Sequence, residues 1–238
     1  MEFQRAFILH QRPYRNTSAI LEVYAENTGR IGLVARGVRD RKGKGNGLQP
    51  FQPLLLSWRT RGELGNLLQF EMDGTPIPLV GRRIYSGLYL NELMYRLLRR
   101  QDANPELFAL YEWSLRCLIE GREEGVLRLF EKRLLELMGY GLLLEQNAVD
   151  DQPVQGSLRY FYHIERGPVP IGAEREQGVP ISGKALLALA NESFLDPDLM
   201  PDMKRLLRAV LGFYLGSKPI RSRELYRIGA AAQEKASE

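Results

Sequence analysis

The sequence predicts an α+β multidomain protein: an N-terminal five-stranded barrel, then an α-helical domain carrying a small irregular or β insert. Three observations predict it. Short apolar runs separated by turn residues fill about the first eighty positions. Near residue 84 the hydrophobic spacing changes from the strand period to the helix period. Between residues 145 and 181, Pro and Gly interrupt the helical rhythm.

Residues 3–10 (FQRAFILH) read as a first strand with imperfect alternation, and 18–25 (SAILEVYA) as a second. Glu26-Asn27-Thr28-Gly29 supplies a hairpin turn in which Gly29 can take positive φ. Residues 30–36 form a third strand. The stretch GVRDRKGKGNG that follows has Gly and charge but no hydrophobic period, which marks a long loop. Residues 51–58 and 64–71 complete the set, joined by the turn Thr60-Arg61-Gly62-Glu63. Five short strands in about eighty residues point to a small barrel, assigned to residues 1–80.

The helical domain begins at 81–145. Residues 84–100 repeat apolar side chains at helical spacing. Asn104-Pro105-Glu106 is a helix start, with an N-cap, a proline at the first position and an acid in the first turn. That helix runs to about Glu120. A third, 123–138, is stopped by Gly139 and Gly141. The insert, 146–181, holds one strand-like run, Leu158–Ile164. The second helical part, 182–228, has Ser182 capping 183–191 and an amphipathic helix over 202–215. Residues 229–238 have little to bury and read as a frayed tail.

Composition excludes several classes. No apolar run approaches the length of a membrane span, so no membrane association is expected. The start, MEFQRAFILHQRPYR, lacks a long apolar stretch with a cleavage site, so no secretory signal is expected. Cys117 is the only cysteine, which precludes an internal disulfide and fits a reducing, cytoplasmic location. His10 and His163 belong to no nucleophile–base arrangement, and no Walker-type loop or Cys/His cluster with zinc spacing occurs. Gly43, Gly45 and Gly47 lack the spacing of a phosphate loop, and Asp150-Asp151 reads as a solvated pair. No cofactor, no metal and no catalytic residue are expected, and the chain reads as not an enzyme.

The net charge is +4, but it is unevenly placed. Residues 1–83 carry 13 Lys and Arg against 7 Asp and Glu, a net of +6, while the remainder is net −2. The sharpest run is Arg36, Arg39, Arg41, Lys42 and Lys44, opposed by Asp40 alone. Arg12, Arg15 and Arg30 join it if the strands form a barrel. Such a surface neutralises phosphates without reading sequence, whereas an isolated charge run is simply solvated. Tyr14, Phe51 and Trp58 are candidates for base stacking or for barrel core, and Tyr14, between Pro13 and Arg15, is the one expected to be exposed.

The late helices mix apolar and basic residues. Arg128 sits with Leu127, Phe130 and Leu134; Lys204, Arg205 and Arg208 sit beside Leu206, Leu207 and Leu211. An apolar pocket rimmed by Arg and Lys suits an acidic peptide ending in an aromatic residue. An ordinary core helix with a charged outer face explains the same pattern, and sequence alone favours it.

Several segments carry a resemblance. AFILHQRPYRNTSAILEVY, GRIGLVARGVR and LQPFQPLLLSWRTRGELGNL, then YSGLYLNEL, RLFEKRLLELMGYG and YLGSKPIRSRELYR, together resemble the RecO family of bacterial DNA repair and recombination mediator proteins. They run in order from about residue 5 to 227, so the resemblance spans nearly the whole chain. It implies an OB-fold, a helical domain with a small insert, and binding of single- and double-stranded DNA. It also implies binding of the C-terminal tail of single-stranded DNA-binding protein (SSB), strand annealing, and work with RecR to load RecA. For this chain it makes Arg128, Phe130, Lys204, Arg205, Leu207 and Arg208 the candidate SSB-tail residues. Many relatives carry four zinc cysteines after the GYG segment. None follows Gly139-Tyr140-Gly141 here, so packing through Leu158, Tyr160, Tyr162 and Ile164 is expected to replace zinc. The rival readings are an RNA-linked OB-fold protein without mediator activity, a metal-dependent nuclease, and a pure scaffold.

Overall fold

A computed structural model describes residues 2–39, 45–173 and 177–225, with Arg61 described by its backbone alone. Five strands, β1 (Gln4–Tyr14), β2 (Ser18–Ala25), β3 (Gly29–Ala35), β4 (Leu54–Arg61) and β5 (Leu64–Met72), form a closed barrel in the order β1-β2-β3-β5-β4. All neighbours are antiparallel except β3 and β5, the arrangement of an OB-fold. Ala6, Ile8, Leu21, Val23, Leu33, Leu54 and Leu56 fill the interior.

The poor alternation of β1 has a physical cause. Its register against β2 shifts between Ile8 and His10, a bulge that breaks the two-residue period. Ile8 points into the barrel, while Phe7 is equally buried outside it, against Phe108 at 5.5 Å and Tyr111 at 5.2 Å between ring centroids. β1 then continues to Tyr14, beyond the expected end at residue 10. Every residue of β2 is buried because its outer side is covered too.

The cover comes from α1 (Arg82–Leu97) and α2 (Pro105–Cys117). Asn91 on α1 donates to the carbonyls of Ile8 and Leu9 and accepts from the Tyr111 hydroxyl, satisfying the bulge. Asn104 caps α2 through the Leu107 N–H, 2.9 Å away, and accepts from Tyr24. These helices form one compact unit with the barrel, residues 1–121 together with the returning segment after 219; residues 122–218 form a second. The first helical part expected over 81–145 is therefore divided at Gly121. Periodicity reports a change of element type, and α1 and α2 change type without leaving the barrel.

The returning segment explains the KPIRSREL motif. The Glu92 carboxylate of α1 accepts from the backbone N–H of Arg221 (2.9 Å) and of Ser222 (2.8 Å), and from the Ser222 hydroxyl. It thus caps the helical turn that begins at Arg221. Arg96 donates to the Pro219 carbonyl and Arg223 to the Tyr89 hydroxyl. The expected tail, 229–238, lies outside the described residues.

The second unit holds α3 (Glu123–Leu137), a three-stranded sheet in the order β7-β6-β8, α4 (Gly183–Ala190) and α5 (Met200–Leu215). Its strands are β6 (Arg159–His163), β7 (Gly167–Pro170) and β8 (Val179–Ser182). The last two were hidden in sequence by Pro168, Pro170 and Pro180. Both are edge strands, where a residue without an N–H is tolerated. Tyr160 and Tyr162 are buried, and their hydroxyls accept from the backbone N–H groups of Gln155 and Leu143, so two tyrosines tie down neighbouring loops. Ile164 is half-buried, but Leu158 is exposed, contrary to expectation.

Candidate nucleic-acid interface

The barrel end left bare by α1 and α2 is basic. Register places Arg12 of β1 opposite Ile20, Ile20 opposite Val34, Val34 opposite Asn66, and Asn66 opposite Arg59. Facing residues of paired strands share a side of the sheet, so Arg12 and Arg59 end one outward row. Arg36, just past β3, leans onto the same row, its guanidinium 3.4 Å from Asn66 Oδ1. Arg12, Arg36 and Arg59 are all exposed.

The turn between β1 and β2 extends this surface. Arg15 adopts φ 53, and its guanidinium lies 5.2 Å from the Tyr14 ring centroid. The Arg39 backbone N–H donates to the Thr17 carbonyl, which holds the start of the basic loop against that turn. Arg12 and Arg36 thus belong to the row and Arg15 and Arg39 to the turn and loop start beside it, while Arg41, Lys42 and Lys44 lie outside the described residues. Tyr14 is half-buried. Phe51 is buried beneath α1, near Gly87, and Trp58 packs against the barrel core, so core packing accounts for both.

Arg30 lies apart from the row. It donates to Glu22 at 3.0 Å and to the Leu98 carbonyl, and Arg100 pairs with the same carboxylate. Glu22 is 5% exposed, so Arg30 is engaged in the cover of the barrel. Arg59 was missed in sequence. Its signal was the outward position two residues before the turn, obscured by a register shift between Ser57 and Trp58.

In the second unit the expected peptide-binding residues divide by burial. Phe130 and Leu207 are fully buried core residues and form no open wall. Arg128 is also buried; Nη2 bonds Glu131 at 2.7 Å, whereas Nε and Nη1 make no hydrogen bond. Lys204 bonds Glu124 at 2.7 Å, and Arg205 bonds Asp202 and the Pro180 carbonyl. Arg208 is exposed. Burial works to raise the Glu124 carboxyl, but the Lys204 bond and the charges of Arg128 and Arg208 outweigh it and hold it below its ordinary value. No group of His, Cys, Asp and Glu among the described residues is arranged to hold a metal ion, and no described helix is long and apolar enough to cross a membrane.

Comparison with known proteins accounts for both units. Residues 1–74 match the family described as Recombination protein O N terminal, and residues 79–224 match Recombination protein O C terminal. The chain is 46% identical over 226 residues to the DNA repair protein RecO of Alkalilimnicola ehrlichii, covering 94% of this chain and 90% of that one. It is 45% identical over 238 residues to DNA repair protein RecO of Nitrosococcus oceani, covering 97% and 96%. It is 42% identical to that of Yersinia pestis, covering 94% of each. With both halves matched and the OB-fold order present, the chain belongs to the RecO family.

Proposed function

We propose that this chain is a DNA repair protein that acts as a non-enzymatic recombination mediator. It binds single- and double-stranded DNA through the barrel, binds SSB, anneals complementary strands and, with RecR, promotes RecA loading in the bacterial cytoplasm. The observation that carries the DNA-binding part is the bare barrel end, where Arg12, Arg36 and Arg59 stand on one outward row beside Arg15 and Arg39. Five guanidinium groups on one surface supply affinity for phosphate and none for base identity. The SSB part rests on the cationic charge of Arg128, Lys204 and Arg208 gathered around the single Glu124 carboxylate, with which Arg128 pairs at 3.8 Å and Lys204 at 2.7 Å; a second carboxylate would compete for that charge. Because Phe130 and Leu207 are core, capture of the tail requires α3 and α5 to part. No bond is made or broken; differences in affinity move the strands.

The test is annealing of two complementary oligonucleotides pre-coated with SSB. The protein is expected to accelerate it without ATP; no acceleration sinks the mediator reading. In parallel, R12A/R36A/R59A is expected to reduce the steepness of log K against log salt for single strands by about two, at roughly 0.7 per lost phosphate contact. An unchanged slope removes the arginine row from the interface.

A further inference from the structure

Resting on that DNA-binding reading, we propose that the groove between β5 and the segment that leaves β3 at Arg36 and Val38 is a pocket for an unpaired nucleobase, through which the barrel favours single strands over duplex. β3 and β5 pair only along Gly32–Val34 and Leu64–Asn66. Beyond Val34 the chain turns away through Gly37 at φ 71, while β5 runs on beside β4. The divergence leaves an open groove of about 430 Å³, within the size range of small-molecule sites.

Its walls are chemically divided. Val38, Leu67 and Phe70 line it and also pack on the barrel core, so its floor is apolar and already supported. Leu68 stands at the rim, 41% exposed. Arg36 forms one wall and belongs to the phosphate-facing row. Gln69 and Glu71 of β5 also line it. A carboxylate there repels a phosphate from the groove and accepts from an exocyclic amine, while Arg36 holds a phosphate outside it. The arrangement fits a strand whose backbone crosses the arginines with a base turned inward. Bases stacked within a duplex cannot reach such a floor, whereas an unpaired base gains apolar contact there.

The experiment compares two labelled oligo-dC strands of equal length by fluorescence anisotropy. One carries ordinary bases; the other has tetrahydrofuran abasic residues at its central positions. Their phosphates are identical, so the arginine row treats them alike. The ordinary strand is expected to bind about tenfold more tightly, in line with one stacked base. Leu68→Ser, an exposed neutral substitution, is expected to shrink that difference while leaving abasic affinity unchanged, which also reports an intact fold. Equal binding of the two strands overturns the pocket, as does a difference that survives Leu68→Ser in full. Failure of both strands to bind overturns the phosphate-binding reading itself, and the pocket with it.

Discussion

Arg30 and Arg36 stand at opposite ends of β3 and do different work. Arg36 is exposed beside Asn66; Arg30 is committed to the buried Glu22 carboxylate and the Leu98 carbonyl. Sequence lists both as positive charges, because it shows neither that Glu22 faces Arg30 across the β2–β3 pair's outer side nor that Arg100 arrives from beyond α1. Arg30→Met is expected to cost about 1–3 kcal/mol of stability in urea unfolding, since it strips a buried carboxylate of one partner. DNA affinity is expected to change less than twofold. A large loss of affinity with stability intact would return Arg30 to the interface. The same blindness hid Arg59: a composition count includes it, but only the register that sets it opposite Asn66 puts it in the row.

At the scale of the element, caps and periods were legible. Asn104 and Ser182 cap the helices their positions announced, through the N–H groups of Leu107 and Ala185. Local side-chain-to-backbone bonds are written in neighbouring residues and survive folding unchanged. The edge strands β7 and β8 were not legible, because their prolines carry the signal of a turn until a central strand, β6, supplies partners. Nor was the tie between Glu92 and the segment after 219, which joins positions far apart in the chain. Glu92→Ala is expected to raise hydrogen exchange at Arg221 and Ser222, reflecting a loss of about 1–2 kcal/mol of local stability. Exchange at Leu107, capped by Asn104, is expected to stay as it was. Unchanged exchange at Ser222 would show that Glu92 does not hold the segment.

At the scale of the whole molecule, the second unit depends on carboxylates in a way that pH can reveal. Burial works to raise Glu192, yet hydrogen bonds from Arg133 and Lys132 hold it below its ordinary 4.5. Burial likewise opposes ionisation of Asp202, which the Ser182 backbone N–H and Arg205 hold below 3.8. Because the folded values lie below the unfolded ones, the stabilisation is complete above the unfolded values. It is lost as pH falls through the folded ones. Amides of β6 and α5 are therefore expected to lose protection as pH is lowered from about 5 to about 3, after correction for intrinsic exchange rates. Glu192→Gln with Asp202→Asn is expected to flatten that dependence; an equally steep loss in the double variant would assign it to other groups. The fold class and the two matched halves were legible at this scale because periodicity and turn residues are repeated many times over. The division at Gly121 was not, since it depends on which helices cover β1 and β2.

The barrel unit is discontinuous, and translation gives that fact a time. The ribosome completes the strands, α1 and α2 before the second unit begins, yet the segment that Glu92 holds emerges only after roughly a hundred further residues, about 5–20 s later at ordinary elongation rates. For that interval the nascent barrel carries an uncapped partner site on α1. A chain cut short anywhere in the second unit leaves the Glu92 carboxylate without the backbone N–H groups of Arg221 and Ser222.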